Sequence, residues 1–117
     1  MSLKNDLRSL TVGAKSEYRT IEIDYKGSKV VFKQPSLKQR KEIITKSIDK
    51  DGNVDGVAMQ VYSVIHLTHD SEGNKVFDEA DYDALMEKPA GSFVDTFAES
   101  AMSLLGKPDE ETEEAQS

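Results

Sequence analysis

Val57-Ala58-Met59-Gln60-Val61-Tyr62-Ser63-Val64-Ile65-His66-Leu67-Thr68 decides the fold, because it admits two readings. Helical spacing groups Val57, Ala58, Val61, Val64, Ile65 and Thr68. Strand alternation groups Val57, Met59, Val61, Ile65 and Leu67 almost as well. Length arbitrates. Twelve residues is long for a strand, so the spacing predicts a helix. A helix that is apolar nearly all round belongs at the centre of the fold.

Upstream, Tyr18 to Lys33 reads as a β-hairpin. Ile21, Ile23 and Tyr25 alternate with Thr20, Glu22 and Asp24, and Val30 and Phe32 alternate with Lys29 and Lys33. A two-residue Lys26-Gly27 loop sets Ile23 opposite Val30, Ile21 opposite Phe32 and Asp24 opposite Lys29. The apolar pairs then share one face, and an Asp24–Lys29 salt bridge is expected on the other. A three-residue loop would set Ile21 against Lys33 and is rejected. A lone hairpin is marginal in water, so this one needs helices or another sheet. After Pro35, Ser36 and Gln39 make a capping box for a helix running to about Ser47. Its Leu37, Arg40 stem, Ile43, Ile44 and Ile48 are expected to face the core. Asp49 to Gly56 breaks it.

Downstream, Asp70 to Asn74 is a turn and Lys75-Val76-Phe77 is extended. Asp78 caps a short helix bearing Tyr82, Leu85 and Met86. Pro89 suits the first position of a final helix striped with Phe93, Val94, Phe97, Ala101, Leu104 and Leu105, and Gly106 ends it. The expected fold is mainly α with a small N-terminal β-hairpin (α+β) and about four helices. It occupies one domain over residues 18–106. A flexible segment over 1–17 precedes it, and a disordered acidic tail over 107–117 follows.

Composition narrows the function. The 117 residues include no cysteine, which removes disulfides, thiolate metal sites and cysteine nucleophiles. No apolar run approaches a membrane span, and the N-terminus has no signal-peptide core. Neither a membrane association nor export is expected. The net charge of −7 is unevenly spread. Residues 1–25 net zero, 26–46 net +6, and 47–117 net −13. Nucleic-acid binding fits poorly, since the basic stretch lacks interleaved aromatics and the acidic half repels phosphate. An uneven solvated surface and head-to-tail docking of copies both remain open.

No motif assembles an active site. Asp51, Asn53, Asp55 and Gly56 fit part of a calcium loop, but the position needing a bidentate glutamate is Tyr62. A calcium-responsive or other small regulatory binding module is the alternative reading. Val76-Phe77-Asp78-Glu79-Ala80-Asp81 resembles a helicase motif without the phosphate loop it requires. His66 and His69 lack a defined third metal ligand. Neither catalytic residues nor a cofactor or metal site are expected. Phe93, Phe97 and Leu104-Leu105 read as core by default. A second, partner-facing stripe on the last helix, drawn from Val94, Phe97, Met102 and Leu105, is the candidate binding surface. Lys38, Arg40 and Lys41 supply its charged counterpart.

The run Gly73, Val76-Phe77, Asp81, Leu85, Pro89, Phe93, Phe97, Ala101 and Leu104-Leu105-Gly106, with Pro35-Ser36-Leu37-Lys38-Gln39-Arg40-Lys41-Glu42-Ile43 upstream, resembles tail assembly chaperones of long-tailed bacteriophages. The resemblance spans residues 18–106 and rests on spaced apolar residues. It implies a largely helical, non-catalytic protein that self-associates and holds the tape-measure protein. It also implies recruitment of tail-tube subunits, in the host bacterial cytoplasm. Absence from the mature virion is implied as well, as is a longer frameshifted product whose extra domain follows the C-terminal region.

Overall fold

The decisive stretch folds as a helix that runs straight into a strand. In the computed structural model, which describes residues 2–106, Gly56–Leu67 is helical and Thr68–His69 is extended. Asp55 starts the helix by accepting the Val57 and Ala58 amides at 3.0 and 3.1 Å, which satisfies two otherwise orphaned donors. The elements in order are α1 (Leu3–Leu10), β1 (Thr20–Tyr25), β2 (Ser28–Lys33), α2 (Leu37–Lys46), α3 (Gly56–Leu67) and β3 (Thr68–His69). A 3₁₀ turn (Glu79–Asp81), α4 (Tyr82–Met86) and α5 (Phe93–Ser103) complete the chain.

The hairpin has the expected register: Ile21 faces Phe32, Ile23 faces Val30 and Asp24 faces Lys29. Lys26 and Gly27 both adopt positive φ, 51° and 86°, the turn whose twist matches that of the strands. The expected ion pair is displaced by one diagonal step. Lys29 Nζ lies 3.4 Å from Glu22 Oε1, and both side chains are half exposed. Such a pair contributes little. β3 pairs with β2 through Val31–His69 and Phe32–Thr68, giving the order β1-β2-β3 with β2 in the middle.

One face of this sheet packs on α3 and α5. Val30, Phe32, Ile43, Val64, Leu67, Phe97, Ala98, Ala101, Leu104 and Leu105 form one buried cluster; Val61, Ile65, Leu85 and Val94 form a second. Aromatic contacts join the two layers. The Phe97 ring meets Tyr25 at 5.3 Å, Phe32 at 5.5 Å and Phe93 at 5.3 Å, all edge-on. Such geometry adds about 0.5–1.5 kcal/mol per pair beyond area burial. The C-terminal half of α3 is buried on every side, as a central helix requires.

The expectation of a mainly α fold with one hairpin and about four helices is overturned. Among the described residues, five α-helices and a three-stranded antiparallel sheet make an α+β fold. Two elements account for the difference. β3 is two residues long, too short to carry a periodicity of its own, and it forms because the open edge of β2 needs partners. Asp70 closes the turn behind it by accepting the Glu72 and Asn74 amides, both at 2.9 Å. The other element is α1, capped by the Ser2 hydroxyl on the Asn5 amide at 3.1 Å, where no helix was expected.

Smaller corrections follow from local chemistry. In α2 the capping box of Ser36 and Gln39 is complete, but Ile43 is the one residue of the helix that is fully buried. Leu37 is 75% and Ile48 46% exposed, so neither reaches the core. Val57, in the first turn of α3, likewise faces solvent. Pro89 does not open α5. Gly91 at φ +84° breaks the run, and α5 begins at Phe93, with Asp95 accepting the Gly91 amide. The acidic tail over 107–117 lies outside the described residues.

Candidate partner-binding surface

The residues proposed on α5 divide by burial. Val94, Phe97 and Leu105 are all buried, filling the contacts between α5, α3 and the sheet. Met102 is half-buried and packs against the larger cluster. The face of α5 that could meet a partner is therefore narrow. Its sister residues on α2 are placed differently. Lys38 and Lys41 are exposed, while Arg40 is half-buried and donates from Nη1 to the Leu105 carbonyl oxygen at 3.3 Å.

Around that contact lies a cleft of about 890 Å³. Its walls are residues 16–19, the turn from Gln34 to Lys38, and the end of α5 through Gly106. Gln34 ties the first wall to the second, since its side-chain oxygen accepts the Arg19 amide at 3.0 Å. The lining mixes apolar groups, among them Tyr18, Leu37 and Leu104, with Arg19, Lys38 and Arg40. Glu17 is the one acid in the lining. The cleft brings together two of the sequence-proposed residues on α2 and Leu105, just past the end of α5, and it leaves Val94 and Phe97 in the core.

A second surface has no counterpart in the expectations. α1 has no buried residue, and Leu3, Leu7 and Leu10 lie at helical spacing with 80%, 60% and 75% of their surface open. Spaced four and three apart, they form one stripe. The signal was available in the Ser2 cap followed by leucines at that spacing. It was masked by the polar residues between them.

The other motifs resolve into local structure. Asp49 Oδ1 accepts the amides of Asp51 at 2.9 Å and Asn53 at 3.0 Å, and Asp55 caps α3. Asp78 and Asp81 form a reciprocal cap around the 3₁₀ turn. His69 Nδ1 meets the Leu67 carbonyl at 2.9 Å. His66 Nε2 approaches Glu79 Oε2 at 3.3 Å, too poorly aligned for a hydrogen bond, and Glu79 is itself paired with Lys46. Burial holds the His66 imidazole below its ordinary pKa; the charges of Lys75 and Lys46 act in the same direction and Glu42 opposes them. Among the described residues no group of three His, Asp or Glu side chains could hold a metal ion. Among them, too, no helix is long and apolar enough to cross a membrane.

The sequence matches no family model and no curated protein. Among solved structures it is similar to the tail assembly chaperone of bacteriophage HK97, with a TM-score of 0.60 and 18% sequence identity. The match covers 87% of this chain and 95% of that one. Nearly the whole HK97 chain is thus spanned. The α+β arrangement described above is therefore a fold that this chain shares with that structure.

Proposed function

We propose that this protein is a phage tail assembly chaperone, a non-catalytic binding protein that shields a tape-measure protein and brings tail-tube subunits to it. The observation that carries this reading is the fold shared with the HK97 chaperone over 87% of the chain. Two surface features support it. The leucine stripe of α1 offers apolar area to an extended helical client in the manner of a helix seeking a groove. The basic block over 26–46 and the acidic block over 47–117 suit head-to-tail self-association. The chaperone acts in the host cytoplasm and is left behind when the tail is complete.

Co-expression with a tape-measure protein tests the reading. The expected result is a higher soluble yield of the tape-measure protein and co-purification of the two. Failure to co-purify across a range of salt concentrations overturns it. Self-association is read separately by sedimentation. The weight-average mass falls as salt shortens the Debye length from about 8 Å at ~0.15 M to about 3 Å at 1 M. A monomer at every concentration and ionic strength removes that part.

A further inference from the structure

We propose that the cleft at the end of α5 is a docking groove for the acidic segment Asp109–Glu114 of the same chain. The groove carries Arg19, Lys38 and Arg40 against Glu17 alone. None of the three salt bridges among the described residues uses Arg19, Lys38, Arg40 or Lys41. Residues 107–117 hold five acids and one base. Opposite charge therefore faces opposite charge across the mouth of one cleft.

Connectivity makes the match intramolecular. Arg40 holds the Leu105 carbonyl at 3.3 Å, so the backbone leaves α5 in contact with a guanidinium of the groove. Gly106, at φ +99°, turns the chain at the rim, in a conformation that side-chain-bearing residues rarely adopt. Asp109 follows Leu105 by four residues and Glu114 by nine, reaches of about 14 Å and about 31 Å for extended chain. Those reaches are enough for the segment to turn back on the groove that carries Arg19, Lys38 and Arg40. A tether this short sets an effective concentration in the millimolar range, well above that of a second copy in dilute solution. Single exposed ion pairs are weak, but several formed at once on a short tether hold the segment in place, and added salt releases it.

The absence of native cysteine allows the test on the full chain. Spin labels at Thr45→Cys on α2 and Ala115→Cys, measured by pulsed dipolar spectroscopy in excess unlabelled protein, report distances within one molecule. The expected result is a narrow distance distribution at low salt. It broadens at least twofold at ~1 M salt, where the Debye length is about 3 Å, and in the variant combining Glu110→Gln, Glu111→Gln, Glu113→Gln and Glu114→Gln. A broad distribution at low salt overturns the proposal. So does a narrow one that survives both salt and neutralisation. A dipolar signal that arises only between singly labelled chains of different kinds assigns the groove to a second copy and overturns it equally. No client is present in this measurement, so its failure is separate from failure of the chaperone reading.

Discussion

Helices α5 and α1 use the same device and meet opposite fates. Each sets apolar side chains three and four apart, Phe93, Phe97, Ala101 and Leu104 on one, Leu3, Leu7 and Leu10 on the other. Phe97 is 4% exposed and Leu7 60%. The difference lies in the surroundings. α5 lies against α3 and the face of the sheet, where Tyr25, Phe32 and Phe93 supply rings that enclose Phe97. α1 is separated from β1 by residues 11–19, and none of its residues is buried. At eight residues it is also shorter than the 12–15 at which isolated helices become even marginal in water. Spacing defines a face; only neighbours decide whether the face is core or interface.

The comparison breaks most sharply at Phe97. Phe97→Ala should cost about 3–5 kcal/mol in a denaturant titration, because the ring leaves a cavity between two rigid layers. A loss below about 1 kcal/mol would mean that α5 is as loosely held as α1. A smaller effect is expected from pH. The folded-state pKa of His66 lies below the ordinary value of 6.5, so its contribution to stability is complete above that pH. That contribution is lost as pH falls through the lower, folded value, because the unfolded chain binds the proton first. Urea midpoints at several pH values between 7 and 5 should therefore decline, and His66→Gln should flatten the decline. Removing the cap of α3 by Asp55→Ala comes next, at about 1 kcal/mol, measured the same way. The smallest effect belongs to α1. Leu7→Ser should change unfolding by no more than about 0.5 kcal/mol, yet it should lower co-purification with the tape-measure protein. A large loss of stability would show instead that the stripe of α1 is already covered by its own chain.

Much of the fold could be read from the residues, and the errors share a cause. The hairpin register followed from a period-2 pattern joined by Lys26-Gly27, and the start of α2 from the Ser36–Gln39 box. Both are local codes, complete within a dozen residues. The third strand was invisible because Thr68 and His69 extend only to serve an edge created 36 and 38 residues earlier, at Phe32 and Val31. The start of α5 was misplaced because a proline at a favourable position looked stronger than the glycine two residues later. The binding surface was the least legible part. Val94, Phe97 and Leu105 carry the pattern of a face, and nothing in that pattern distinguishes a buried face from an open one. Lys38 and Arg40 were singled out for charge alone. Their shared cleft depends on the Arg40–Leu105 contact, between residues 65 positions apart.

Leu67 ends a helix and Thr68 begins a strand, with nothing between them. With no loop between them, and with Val64 and Leu67 of the helix buried against Val30 and Phe32 of the sheet, the two elements are joined by packing as well as by the chain. A load on either element is therefore shared by the other, whereas residues 11–19, 49–55 and 87–92 join their elements through longer connections.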